Sequence, residues 1–316
     1  MKKFVIKRVL ISFLIVFIVS VFAFFLMHLL PGDPVRIVLG DEASVEDMNA
    51  LRERLHLNDP LVVQYLKWIS GLFTGDYGTS ITYMRPVKQI IDERLPKTIA
   101  IGLPALIIAS IVGIAFGTLS AVKRGTKLDN ILTILSTLGL GTPTFWVGIL
   151  LIYLFAVKLR ILPMKGFKGL DEGVFAYMRY AIMPVVCLSL NMVAGVTRQT
   201  RTNMLDVINQ DYIRTAKANG ISPKKVVFKH ALKNALIPVI TQIALQVRVV
   251  IGGSVVVEQI FNINGIGMLL REAVFNRDYM VVQTSVLFIS LVTVFCNLFV
   301  DIIYGIVNPQ IRKSGW

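Results

Sequence analysis

The chain has 316 residues, 55% hydrophobic and 16% charged, with a formal net charge of +14. Soluble domains carry about 25% charged residues, so this composition excludes one large water-exposed globule. The high pI, near 9.9, would fit a nucleic-acid binder only if the basic residues gathered on one solvated face.

Six apolar runs approach or exceed the roughly 20 residues a helix needs to span a bilayer. Residues 9–30, 99–122, 131–157 and 180–197 carry no formal charge, while 235–257 holds Arg248 and 281–307 holds Asp301. Each is expected to be one transmembrane helix, so both termini lie on the same side. The first run follows a basic start (Lys2, Lys3, Lys7, Arg8) and resembles a secretory signal. It is too long for an h-region of 7–15 residues and ends in Leu30-Pro31-Gly32-Asp33-Pro34, not a small-residue cleavage site. It is read as a retained span with a cytoplasmic N-terminus.

Charge supports that orientation. The expected cytoplasmic segments 1–8, 123–130, 198–234 and 308–316 hold seventeen Lys/Arg and three acids. The external segments 31–98, 158–179 and 258–280 hold fifteen of each sign, and Arg248 and Asp301 cancel. The entire excess falls on one side, in agreement with the positive-inside rule, although five basic residues in 158–179 run against it. The expected fold is an all-α integral membrane protein with six transmembrane helices, N-in and C-in. Basic residues divided among short loops exclude the nucleic-acid reading. Two cysteines, Cys187 and Cys296, and three scattered histidines, His28, His56 and His230, offer no disulfide framework or metal site.

Along the chain, 31–98 contains a helix-compatible stretch near 44–57, with Ser44 as a cap and Asp47 as its N3 acid. Gly75-Asp76-Tyr77-Gly78-Thr79-Ser80 reads as a turn, and the segment as a small external cap. Pro143 and Pro238 are candidate kinks. In 198–234, Leu205, Ile208, Tyr212 and Ala216 recur at helical spacing, Gly220 ends the helix, and Ser222-Pro223 opens another bearing Lys224, Lys225, Lys229 and Lys233. This loop is either a connector beside anionic lipid headgroups or a docking element for a cytoplasmic partner.

Arg248 lies about 20 Å into its span and Asp301 about 9 Å from its inner end, at 1.5 Å per residue. An arginine at the bilayer centre costs about 2.5–3.5 kcal/mol, so Arg248 should face protein or water. Structural pairing or snorkelling, and lining of a translocation path, both remain open for these charges. Gly252 and Gly253 suit close helix packing or a hinge. Asn191 and Gln246 need polar partners in a membrane interior, through interhelical bonds or substrate contact. No G-x-x-x-x-G-K-[ST] loop occurs, so any ATP hydrolysis belongs to other polypeptides.

Asp211-Tyr212-Ile213-Arg214-Thr215-Ala216-Lys217-Ala218-Asn219-Gly220, followed by His230-Ala231-Leu232-Lys233-Asn234 and Ile237-Pro238, resembles the "EAA" loop of binding-protein-dependent ABC importer permeases. Further matching stretches are Leu30 to Pro34, Gly75 to Ser80, Gly252-Gly253-Ser254 with Glu258, Phe261 to Gly267, Arg277-Asp278-Tyr279 and Asn308-Pro309-Gln310-Ile311-Arg312. The version is similar to the dipeptide/oligopeptide/nickel group, in particular its B-type subunits. The resemblance implies a type I importer permease with one transmembrane domain over about 75–307, in a bacterial or archaeal plasma membrane.

It further implies a heterodimer with a second permease, two ATP-binding subunits that hold ATP and Mg, and an extracellular substrate-binding lipoprotein. No cofactor is implied in this chain. Asp211, Tyr212, Arg214, Thr215, Ala216, Lys217, Ala218 and Gly220 would form the coupling helix seated on an ATPase. Phe261, Asn264, Gly265 and Gly267 would shape an external scoop; Arg248, Gln246, Asn191, Gly252 and Gly253 are candidates for the path. The Glu-Ala-Ala of the family is Arg214-Thr215-Ala216 here, Ile-x-Leu-Pro is His230-Ala231-Leu232-Lys233, and Trp-Pro-Gly is Ile263-Asn264-Gly265. Peptides are the favoured cargo, with nickel or a metal chelate as the alternative. A path-lining guanidinium suits a carboxylate-bearing cargo. A membrane enzyme lacks a convergent acid–base set. A free-standing channel or secondary transporter would need no EAA-like loop.

Overall fold

The computed structural model describes residues 2–29, 34–40, 43–54 and 57–307. Leu30 to Asp33, His56 and the 308–316 tail with its Asn308-to-Arg312 stretch lie outside the described residues. Within them the chain forms α1 (Lys2–Leu29), α2 (Pro34–Leu39), α3 (Val45–Arg54), α4 (Leu61–Thr74), α5 (Val87–Val122), α6 (Lys127–Gly141) and α7 (Thr144–Leu151). There follow α8 (Val174–Ile208), α9 (Asp211–Ala218), α10 (Pro223–Lys225), α11 (Leu232–Phe261), α12 (Ile266–Phe275) and α13 (Tyr279–Val307). Five helical segments are unbroken and apolar enough to cross a membrane, and α6 with the segment after Pro143 forms a sixth, bent candidate. The protein is an all-α membrane protein.

The third expected span, 131–157, is not one straight helix. It breaks between Gly141 and Thr144, and the two halves differ in direction by 103°. Proline disfavours helical backbone in the residue before it and has no N–H to donate. Thr142 is accordingly extended (φ −83°, ψ 124°), and its hydroxyl donates to the Leu138 carbonyl at 2.6 Å. Beyond the break, α7 passes into a π-helical stretch, Ile152–Lys158. Pro238, by contrast, lies inside α11 without ending it.

Other helices overrun the apolar segments that announced them. α5 begins at Val87 rather than 99, and α8 covers Val174–Ile208 rather than 180–197. The fifth span is preceded by continuous helix, since α10 leads through a π-helical stretch, Val226–Ala231, into α11. Hydropathy locates the part of a helix that is apolar, not where its backbone hydrogen bonds stop.

Two units can be distinguished, one made chiefly of Met1–Thr98 with Asn264–Ile302 and the other chiefly of Ile99–Ile263. In the first, α1, α4 and α13 meet around buried Phe24, Trp68 and Leu287. The Phe24 and Trp68 rings stack with centroids 6.3 Å apart, and the Trp68 indole donates to the Thr284 hydroxyl at 3.3 Å. Ser44 caps α3 by accepting from the Asp47 amide at 3.0 Å, and its hydroxyl donates back to the Asp47 carboxylate.

The Gly75–Ser80 turn is fastened to the start of α13. Asp278 is fully buried and accepts from the Ser80 hydroxyl, the Thr82 amide (3.1 Å) and the Val281 amide (3.4 Å). Gly78 is left-handed (φ 80°), and a Cβ there would lie 3.0 Å from the Met280 sulfur. Nearby, the Tyr83 hydroxyl donates to Glu272 at 2.7 Å. Burial, then the Glu272 carboxylate, pushes the Tyr83 phenol up to about 12, so it remains a donor at any physiological pH.

The second unit is built on close approach of helices. A Cβ at Gly113 would lie 2.6 Å from the Val196 Cβ, and one at Gly117 2.5 Å from the Thr200 Cβ and 2.6 Å from the Thr197 carbonyl oxygen. These two glycines form a Gly-x-x-x-Gly stripe on α5 that lets α8 approach its backbone. Gly139 of α6 similarly meets Ala194 of α8, at 2.9 Å from a built Cβ. Ile101, Ala105, Met192, Val257 and Phe261 lie in the core thus enclosed.

Candidate functional site

The expected helix through Leu205, Ile208, Tyr212 and Ala216 is two helices, because α8 ends at Ile208 and Asn209-Gln210 turns the chain before α9. Ile213 and Ala216, three residues apart, are the buried face of α9 and pack with Met204, Val226 and Ala231. The remaining candidate residues, Asp211, Tyr212, Arg214, Thr215, Lys217 and Ala218, are exposed. Ala216 is therefore an anchor rather than part of the outward surface. Tyr212 is held in place by Asn234, whose amide donates to the phenol oxygen at 2.7 Å.

The end of α9 is a Schellman motif. The Ile221 amide donates to the Ala216 carbonyl at 3.2 Å, and the Gly220 amide to the Lys217 carbonyl at 3.0 Å. Gly220 has φ 75°, where a Cβ is penalised by about 1–2 kcal/mol. Ile221 completes the motif by packing on the apolar cluster that holds Ala216. Gly220→Val should therefore destabilise this segment by about 1–2 kcal/mol, read as faster amide exchange across 211–221. Unchanged exchange would contradict the role given to the backbone here.

The path candidates differ in their surroundings. The Asn191 side chain donates to the Gly139 carbonyl at 3.4 Å, an interhelical bond. Gln246 is buried, with its Nε2 3.3 Å from where a Cβ on Gly195 would sit. Arg248 and Gly252, one turn apart on α11, are instead exposed. Among the described residues no acid forms an ion pair with Arg248. A Cβ on Gly252 would meet no atom within 4 Å, so close packing within this chain does not explain that glycine. Gly253 follows it inside α11.

Asp301 has a partner from the other end of the sequence: its Oδ2 lies 3.2 Å from Nη1 of Arg8. Of the four scoop residues, Phe261 is buried in the core of the second unit, whereas Asn264, Gly265 and Gly267 belong to the first. Asn264 is exposed, Gly265 and Gly267 are buried, and Gly265 precedes the first turn of α12.

A buried carboxylate whose partners no local sequence signal announces joins several helices of the second unit. Asp129, 3% exposed, accepts from Arg201 Nε at 2.8 Å and Nη2 at 3.0 Å, from the Ser120 hydroxyl and from the Gly125 amide at 3.0 Å. Arg201 Nε also reaches Ser120 Oγ at 3.0 Å. This ties α5, the turn after it, α6 and the last part of α8 to one carboxylate. In the sequence both residues read only as loop charges. The Thr126-x-x-Asp129 capping pattern was legible, but nothing local announces an arginine 72 positions away.

Helices long and apolar enough to cross a membrane, with a short helix that keeps a polar face exposed, fit a multi-pass membrane subunit. The chain belongs to the family of binding-protein-dependent transport system inner membrane components, whose model matches residues 113–313. The family's N-terminal model matches residues 1–102. It is 42% identical over 315 residues to the oligopeptide transport system permease protein AppB of Bacillus subtilis, covering 99% of this chain and 100% of that protein. It is 38% identical over 309 residues to a probable peptide ABC transporter permease protein, y4tP, of Sinorhizobium fredii, covering 98% and 99%. Identity is 39% over 312 residues, 99% of each chain, to the glutathione transport system permease protein GsiC of Escherichia coli. It is thus a multi-pass inner-membrane permease.

Proposed function

We propose that this chain is a permease subunit of an ATP-driven importer that passes di- or oligopeptides from an extracellular binding protein to the cytoplasm by alternating access. The observation that carries this reading is its end-to-end similarity to permeases named for peptide, oligopeptide and glutathione transport. None of these relatives is named for nickel, so the metal-chelate alternative is not favoured.

In this proposal a second permease completes the path, and two further subunits bind ATP and Mg. The exposed face of α9 docks on one of them, with Arg214 and Lys217 as its cations and the Gly220 turn holding its angle. Its burial through Ile213 and Ala216 supports this, because a helix of eight residues has little stability of its own and is here kept folded with its polar side free. Copurification on a tagged chain, expressed with its neighbouring reading frames, tests the partners. Arg214→Glu with Lys217→Glu should strip the ATPase while leaving the second permease bound. Recovery of no ATPase with the unaltered chain would overturn the proposal.

Arg248 is the proposed contact for a peptide carboxylate, supported by its exposed position without an acidic partner among the described residues. A charge-assisted hydrogen bond contributes about 1.5–3 kcal/mol, so Arg248→Ala should lower uptake of a labelled tripeptide about tenfold or more. Copurification of the other subunits should not change. Normal uptake by an assembled variant would remove Arg248 from the path.

A further inference from the structure

Within the second unit, a groove of about 700 Å³ runs between the C-terminal half of α5 and the helical segment 223–232. Ile111, Ala115, Leu119 and Val122 form one wall, Val227, Phe228 and Leu232 part of the other. Ile111 is 66% exposed and Phe228 63% exposed, so the chain itself leaves this apolar surface open. Lys224 is the one charged residue among those lining it. From Ile111 to Val122 the groove follows α5 for about 16 Å at 1.5 Å per residue. Half of a 30 Å hydrocarbon core is about 15 Å, so its length matches one leaflet.

The charges sit at one end only. Lys123 and Arg124 follow Val122 directly, and Lys225 follows Lys224; all four are exposed. None forms an ion pair with an acid among the described residues. On the orientation given by the charge asymmetry, this end faces the cytoplasm. Lysine and arginine close to a membrane surface attract anionic headgroups, at about 1 kcal/mol each, and an aromatic such as Phe228 beside them fits an interfacial position.

We infer that the groove is a binding site for an anionic phospholipid of the cytoplasmic leaflet, with one acyl chain along α5 and the phosphate at Lys224 and Lys225. The uncompensated cations distinguish this from generic solvation, in which a zwitterionic lipid would serve equally well. The site does not depend on what the importer carries.

The test uses the assembled importer, exchanged into nanodiscs of phosphatidylcholine and phosphatidylglycerol and then released for native mass spectrometry. The unaltered protein should retain phosphatidylglycerol in preference to phosphatidylcholine. Lys224→Gln with Lys225→Gln should cut that retention at least fivefold, and Lys224→Arg with Lys225→Arg should restore it. Ala115→Trp, which fills the groove away from the charges, should also displace the lipid. Equal retention in the glutamine pair, or in a monodisperse Ala115→Trp complex, would overturn the assignment. A photoreactive benzophenone side chain at position 119 gives an independent readout. Labelling of phospholipid supports the site, whereas labelling chiefly of another polypeptide would reassign the groove to subunit packing.

Discussion

Asp129→Ala should destabilise the protein by about 3 kcal/mol, the lower end of the range for breaking a buried ion pair from one side. The lower end applies because Asp129 is buried but the Arg201 side chain is 28% exposed, so water can partly solvate the guanidinium left behind. The substitution also removes the acceptor of the Ser120 hydroxyl and the Gly125 amide. Arg201→Met alone should be comparably harmful, since it leaves a carboxylate buried. The double variant should recover a substantial part of the loss, because replacing both members of such a pair is often near neutral. A double-mutant cycle on thermal unfolding in nanodiscs reads this as a coupling energy. Additive single effects, or a single Asp129→Ala within about 0.5 kcal/mol of the unaltered protein, would show that the contact contributes no net stability.

Gly117→Leu should be at least as damaging, by about 3 kcal/mol or more. Its Cβ would approach the Thr197 carbonyl oxygen to 2.6 Å and the Arg201 amide nitrogen to 3.0 Å. Those are backbone atoms of α8, which cannot rotate away as a side chain can. The helices must separate, and packing is the main force between helices in lipid. Because Arg201 stands at this crossing, displacement here also disturbs its bond to Asp129. Gly141→Ala is the informative control, since a Cβ there meets nothing within 4 Å. Fluorescence-detected size-exclusion after graded heating should show early loss of the Gly117→Leu peak and an unshifted Gly141→Ala peak. Equal behaviour of the two would mean that α5 and α8 are not in this close contact.

The membrane-spanning character of the chain was legible because a bilayer demands long apolar runs, and those runs are visible without knowledge of tertiary contacts. Helix ends were less legible. Residues Val87 to Thr98 include Lys88, Asp92, Glu93, Arg94 and Lys97, which hydropathy assigns to a loop although the backbone is helical. α4 is hard to read for a related reason: its apolar residues are too few for a span, and Trp68 is buried in a cluster with residues of α1 and α13. Pro143 is legible as a kink, but the 103° change of direction needs Thr142 to leave the helix, and that conformation appears only in the folded chain.

In the candidate site, Gly220 and the exposed side of α9 follow from local pattern: a left-handed glycine, an amphipathic turn and a proline start. Tertiary partners do not. Asn191 and Gln246 look alike as polar residues in apolar spans, and only coordinates separate an interhelical bond from a buried packing contact. The Gly113-x-x-x-Gly117 spacing is visible in the sequence, but nothing local separates it from the other small residues of the spans; only the approach of α8 does.

The pairing of Arg8 with Asp301 has a consequence for the order of synthesis. An aspartate at the centre of an apolar helix costs at most about 2.5–3.5 kcal/mol to insert and less toward its end, and the compensating cation of Asp301 belongs to α1 while the acid arrives with α13. The pair can close only once α13 has been made and has met α1. Because the first unit joins Met1–Thr98 with Asn264–Ile302, its completion waits for the intervening stretch of the second unit to be synthesised.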